Sequence, residues 1–242
     1  MPVFIHDFTG IADFEDYYKD SDFRILDERD IEGTRGYLDP EAGSKLMEQI
    51  RNESLLPAFH FLDSGNYHYM TRLYASLINV SYDLIVYDNH TDMQESAFGD
   101  ILSCGSWIAD LFRYDLSLPA SLLRNVVLIG AKKEYIDNLN GNYDKRVIFA
   151  DSYKEASKGG CIADDLPVYL SIDKDVLSES EFICDWDQGQ MKLDGLIADI
   201  RNILDKRDII GIDVCGEPEV GDPEAAHKSS EVNRKIIKGL LK

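Results

Sequence analysis

Basic residues are scarce in this 242-residue sequence: 25 lysines and arginines stand against 45 aspartates and glutamates, a formal charge of −20. Nucleic acid and anionic lipid both need neutralising Lys and Arg, so neither is expected as a partner. The balance instead favours cations, whether metals or guanidinium- and amine-bearing molecules. Long apolar runs are also absent. No stretch approaches bilayer-spanning length, and the opening residues show no basic stretch followed by an apolar one. Neither a membrane segment nor a signal peptide is therefore expected. Cysteines are few, at 104, 161, 184 and 215, with no CxxC pair. Without an export signal they read as reduced thiols of a cytoplasmic protein, and the sequons at Asn52, Asn79 and Asn89 carry no weight.

Several nucleotide and nucleophile signatures are missing too. No Gly-x-Gly-x-x-Gly opens a helix, and Gly43-Ser-Lys45 lacks the first glycine of a phosphate loop. The absence of a Gly-x-Ser-x-Gly elbow argues against a serine hydrolase. A nucleophilic Cys104 would need a base, and His6, His60 and His227 have no visible link to it. His60 lies inside an apolar run and reads as structural.

What is present is ordinary for a globular protein: 44% hydrophobic and 29% charged residues. No repeat, low-complexity tract or linker divides the chain, so 1–242 reads as one domain. Short apolar runs at 58–62, 84–87, 126–129, 147–150, 168–172 and 209–214 fit strands covered on both faces. Helical spacing appears at 46–51, 69–78, 193–204 and 230–241. Alternating strands and helices predict an α/β fold, a three-layer α-β-α sandwich with a mainly parallel sheet. Ligands of such sheets bind beyond the carboxyl ends of the strands.

Three polar clusters stand at such ends: Asp63-Ser-Gly-Asn-Tyr-His68, Asp88-Asn-His90-Thr-Asp92 and Ser171-Ile-Asp173-Lys-Asp175. Residues two apart in extended backbone point to the same side, so Asp88, His90 and Asp92 converge, as do Asp173 and Asp175. Burying so many carboxylates without a cation costs several kcal/mol per ion or forces protonation. Two divalent cations supply the missing charge. Two histidines and four aspartates suit Mn²⁺, Fe²⁺ or Co²⁺, and also Zn²⁺, and the lack of cysteine in the clusters argues against a structural zinc site. Each piece alone has a plainer reading: Asp63 as a turn cap, His68 as a core histidine, Asp-x-Asp as a solvated turn.

With these residues the chain resembles the arginase/agmatinase (ureohydrolase) superfamily, whose members carry Gly-x-x-His, Asp-x-His-x-Asp and Ser-x-Asp-x-Asp segments in that order at strand ends. Gly65-Asn-Tyr-His68 and the second and third clusters match, across about residues 58–217, and Asp185-Trp-Asp-Gln-Gly189 is similar to the segment that follows the third motif. The resemblance implies an arginase-like fold and two ions, usually manganese. His68, Asp88, Asp92 and Asp173 would bind one ion, and Asp88, His90, Asp173 and Asp175 the other, with Asp88 and Asp173 bridging. It further implies hydrolysis of a non-peptide C–N bond by a metal-bridging hydroxide, with Asp92 as orienter and proton relay. The implied substrate is a small guanidino compound or the arginine side chain of a peptide. Relatives often form trimers or hexamers, which implies a homo-oligomer.

Two departures bear on activity. Cys104 stands where many members place a histidine that assists proton transfer, and a thiol is a poor general acid unless its pKa is tuned. Its other reading is a small buried hydrophobe. Gly216 stands where many members place a guanidinium-pairing glutamate; Glu217 either reaches that place through a bulge or is a solvated loop charge. Asn66, Tyr67, Gln94, Trp107, Trp186 and Glu217 are the candidates for lining a substrate pocket, and the tryptophans read equally as core. The alternative function is a metal-binding homologue without hydrolase activity, used in regulation or assembly. A deacetylase of related architecture fits less well, because those proteins use a single zinc with fewer aspartates.

Overall fold

The computed structural model describes residues 1–19, 21–53, 56–96, 99–158, 162 and 165–241; Cys161 lies outside them. Among the described residues one sheet holds eight strands: β1 (Val3–Asp7), β2 (Arg24–Asp27), β3 (Phe59–Phe61), β4 (Tyr82–Tyr87), β5 (Leu123–Ile129), β6 (Val147–Ala150), β7 (Val168–Asp173) and β8 (Ile209–Cys215). Their order is β2-β1-β3-β8-β7-β4-β5-β6, and every pairing between them is parallel. All six expected strands are present. The other two were hidden for a reason. β1 spends its last two residues on polar His6 and Asp7, and the edge strand β2 buries only Leu26.

Alternate residues of the central strands feed two cores. Leu84 and Val86 pack with α1 (Pro40–Asn52), α2 (Met70–Ala75) and α3 (Trp107–Ser117), while Ile85 and Tyr87 pack with α5 (Tyr153–Lys158), α6 (Leu193–Leu204) and α7 (Pro223–Leu240). This is the expected three-layer arrangement. The short α4 (Lys133–Asn138) buries none of its side chains and gave no periodic signal. Both α1 and α7 begin several residues before their apolar stripes. Asp39 and Asp222 cap the first backbone amides, and Pro40 and Pro223 occupy the first turn, where no N–H is required.

Two ion pairs, one fully buried and one partly so, stiffen the sheet at the end opposite the polar clusters. Arg207 Nη2 lies 2.7 Å from Asp83 Oδ2, with both side chains fully buried. Asp115, at the end of α3, accepts from the Leu122 and Leu123 amides at 2.8 and 2.9 Å and pairs with Arg146. Burial raises the Asp115 carboxyl, but these donors outweigh it and hold the pKa below the ordinary value. Its stabilising contribution is therefore complete above about pH 4 and is lost as the pH falls further. Asp115→Ala should cost about 1–3 kcal/mol in urea unfolding at neutral pH. The difference from wild type should shrink in matched melts below pH 3.5, and a constant difference down to pH 2.5 would refute the assignment.

Candidate metal centre

The three polar clusters end β3, β4 and β7, which with β8 make the four central strands, so the sheet itself gathers them. After β3 the chain turns at Asp63, whose φ of 69° is unusual for a side-chain-bearing residue. The Asp63 carboxylate holds the turn by accepting from the Phe8 and Thr9 amides at 2.9 and 2.8 Å. A 3-10 turn over Gly65–Tyr67, capped by Ser64, then delivers His68. A Cβ at Gly65 would stand 2.9 Å from Trp186 and 3.1 Å from Asp173 Oδ2, so glycine lets this turn lie against both. After β7, Asp173 caps the next turn by accepting from the Asp175 amide at 2.9 Å.

His68 Nδ1 lies 3.3 Å from Asp88 Oδ2, 3.0 Å from Asp92 Oδ2 and 3.5 Å from Asp173 Oδ2. His90 Nδ1 lies 3.6 Å from Asp88 Oδ1 and 2.7 Å from Asp175 Oδ2. Donor atoms of His68, Asp88 and Asp92 fall within 4.8 Å of one another, as do those of Asp88, His90 and Asp175. Asp88 spans both groups, one oxygen each. Asp173, the other expected bridge, instead groups with His68 and Cys215. Cys215 Sγ stands 3.1 Å from Asp173 Oδ2, so a thiol enters a cluster that the motifs alone presented as free of sulfur.

Hydrogen bonds behind the site fix the histidines. Ser171 Oγ donates to Asp213 Oδ1 at 2.6 Å and lies 2.9 Å from His68 Nε2. With the serine proton spent on Asp213, Nε2–H must donate to Ser171, which leaves the Nδ1 lone pair aimed at the carboxylates. His90 Nε2 lies 3.0 Å from Asp187 Oδ1. Asp187 also accepts from Tyr135 Oη at 2.6 Å and Asn89 Nδ2 at 3.3 Å. Despite some burial, these donors hold the Asp187 carboxyl near a pKa of about 2.

Electrostatically the cluster is short of positive charge. Burial, then the charge of Asp88, raises the Asp92 carboxyl to about 7 and raises Asp173; burial, then Asp173 and Asp88, pushes Asp175 well up. Asp88 is also buried, but the adjacent His68 and His90 rings hold its carboxyl below the ordinary value. Among the described residues, His68 Nδ1 and Asp88 Oδ2 are buried without any hydrogen-bond partner. Such orphans are uncommon in native interiors. Facing one another among carboxylates, they fit divalent cations, as does the oxygen-and-imidazole donor set.

A cavity of about 370 Å³ opens over this centre. His90, Asp92, Asp173 and Asp175 reach its wall, joined by Asn66, Gln94, Cys104 and Trp186. Burial, then the nearby Asp92, pushes the Cys104 thiol up to about 12, so it keeps its proton near neutral pH. Three expected lining residues lie elsewhere. Trp107 is fully buried behind the site, where its Nε1–H donates to Asp92 Oδ2 at 2.5 Å and its ring rests against His68. Glu217 turns away from the cavity, because the adjacent Gly216 has a φ of 94° and both amides donate to the Asp63 carbonyl. Its carboxylate is buried beneath the third motif, 2.6 Å from Lys174 Nζ, where it compensates that buried ammonium. Tyr67 is likewise buried, stacked on Phe8.

No family profile matches the chain. It is 31% identical over 246 residues to an uncharacterized protein of Thermotoga maritima, covering 100% of this chain and 91% of that one. Among solved structures, arginase from Bacillus cereus superposes with a TM-score of 0.67 at 14% identity, over 100% of this chain and 99% of that chain. A triple mutant of the T. brucei arginase-like protein bound with Mn²⁺ superposes with a TM-score of 0.59 at 19% identity, over 100% and 90%. The chain thus belongs to one family with the Thermotoga maritima protein, and its fold is that of the solved arginase and arginase-like protein.

Proposed function

We propose that this protein hydrolyses a non-peptide C–N bond of a guanidino or related compound, using two divalent ions. His68, Asp88, Asp92 and Asp173 would hold one ion, and Asp88, His90, Asp173 and Asp175 the other. One observation carries the reading: two donor groups share Asp88 beneath an open cavity, with the His68 Nδ1 and Asp88 Oδ2 atoms left without protein partners. Manganese is the ion we propose for the His90 position, whose donors are all oxygen and imidazole, in keeping with the Mn²⁺ of the T. brucei arginase-like mutant.

A bound pair of divalent ions lowers the pKa of water towards neutrality and stabilises charge developing on the attacked group. The chain's own residues do the rest. Asp92 presents its carboxyl to the cavity while Trp107 fixes one of its oxygens, so it is placed to pass a proton to the departing amine. Asn66 and Gln94 offer neutral hydrogen-bonding groups to a planar amidine, and Trp186 offers an aromatic wall. The −20 charge draws a cationic substrate towards the protein.

A second reading, a metal-binding homologue without hydrolase activity, is favoured by one specific fact: neither Cys104 nor Glu217 can fill the role of the group it replaces. The first keeps its proton, and the second is committed to Lys174. Release of urea or formamide from arginine, agmatine, guanidinobutyrate, formiminoglutamate and arginine-containing peptides, with Mn²⁺ added, decides between them. Turnover of any one supports the hydrolase; silence on all, with metal bound, supports the second reading.

Asp187 is the orienter whose loss should show most directly. Asp187→Ala should weaken Mn²⁺ binding by about 10–100-fold in calorimetric titration, through the His90 position. Unchanged affinity at both positions would contradict its role.

A further inference from the structure

We propose that Cys215 is a sulfur ligand of the ion at the His68 position, which makes that position prefer Zn²⁺ or Co²⁺ over Mn²⁺. The inference rests on the metal-centre reading above and adds to it a donor that the family motifs do not contain.

Sheet register puts the thiol there. Cys215 and Asp173 are the last residues of the neighbouring parallel strands β8 and β7, and they stand opposite one another. Sγ lies 3.1 Å from Asp173 Oδ2, and that oxygen lies 3.5 Å from His68 Nδ1. The three donor atoms fall within 4.8 Å of one another. Ligands held about 2.0–2.3 Å from a single ion stand roughly 3–4 Å apart, so one cation satisfies all three. Independently, His68 Nδ1 is buried, without a hydrogen-bond partner, and aimed at the same point.

Coordination breaks the S–H bond heterolytically. The proton passes to solvent, the sulfur electron pair forms the metal–sulfur bond, and no oxidation state changes. Thiolate is a soft donor that selects thiophilic ions, whereas Asp88, His90 and Asp175 offer only oxygen and imidazole and suit Mn²⁺. The two positions are therefore chemically unequal.

Metal-free wild type, Cys215→Ser and Cys184→Ser should be titrated with Co²⁺ and followed by absorption. A near-ultraviolet sulfur-to-cobalt charge-transfer band is expected in wild type and Cys184→Ser, with visible ligand-field bands alone in Cys215→Ser. In dialysis against equal Zn²⁺ and Mn²⁺, Cys215→Ser should shift the bound Zn/Mn ratio about tenfold or more towards Mn²⁺. Wild type that binds Co²⁺ by elemental analysis without a charge-transfer band overturns the inference, and needs no variant to do so. A band that survives in Cys215→Ser also overturns it. Failure of wild type to bind any divalent ion overturns the metal-centre reading as well.

Discussion

Replacing Asp88 with alanine is expected to abolish most of the thermal stabilisation that saturating Mn²⁺ gives the wild-type protein. Asp88 contributes one oxygen to each donor group, so its removal weakens both positions together. An ion present at about 1,000 times its dissociation constant stabilises the folded state by about 4 kcal/mol. For a chain of this size that is roughly 8–16 °C in Tm, at about 2–4 °C per kcal/mol. In chelator the sign should reverse. There the variant removes one carboxylate from a buried crowd of them, so its Tm should equal or exceed that of wild type. Asp175→Ala should affect mainly the His90 position. Melting curves in EDTA and in Mn²⁺, with bound metal counted, would test this; an Asp88→Ala response to Mn²⁺ equal to wild type would sink the assignment.

Asp83→Ala should be the most damaging single change to metal-free stability, costing about 3–5 kcal/mol. It would strand the Arg207 guanidinium in the interior, where the Leu166 carbonyl and Tyr153 hydroxyl are its remaining partners, and free Asn125 Nδ2 from its acceptor. Desolvation lowers the Arg207 pKa, but Asp83 and Tyr153 outweigh it and keep the side chain firmly cationic, so it cannot escape by losing its proton. The double variant Asp83→Leu/Arg207→Met should lose less than the single one, since no charge is left buried. Urea unfolding at neutral pH reads both. Because the pair lies at the far end of the strands from the metal centre, folded Asp83→Ala should bind Mn²⁺ as wild type does. A loss below 1 kcal/mol would mean that water reaches Arg207.

How much of this was legible in the residues depended on how local each signal is. The central strands announce themselves because burial on both faces leaves continuous apolar runs. The Asp-x-His-x-Asp and Ser-x-Asp-x-Asp spacings marked side chains that the structure brings together, but not by extended-strand alternation: residues 88–92 lie beyond the end of β4, Asp92 has a φ of 49°, and Asp175 sits in a 3-10 turn after β7. Cys215 was invisible for the opposite reason. It joins Asp173 only through the register of two strands some forty positions apart, and no spacing rule connects them. Asp187 sat in a segment noted only for its likeness, and its hold on His90 is likewise non-local. Trp107 and Glu217 were assigned to the pocket by position along the chain. A turn at a left-handed glycine and a buried lysine send Glu217 the other way, while burial puts the tryptophan behind Asp92 rather than in front of it.

Lys174 lies between two aspartates of the centre yet points backwards, to Glu217, Ser229 and Asn233, and the last two belong to α7. Helix α7 thus braces the candidate metal centre from behind, as a strut does a wall. Anyone who trims the protein or fuses a partner to its end should leave that strut seated: a cut upstream of Ser229 strips the ammonium of both α7 partners and loosens the loop carrying Asp173 and Asp175, though it lies far along the chain from either.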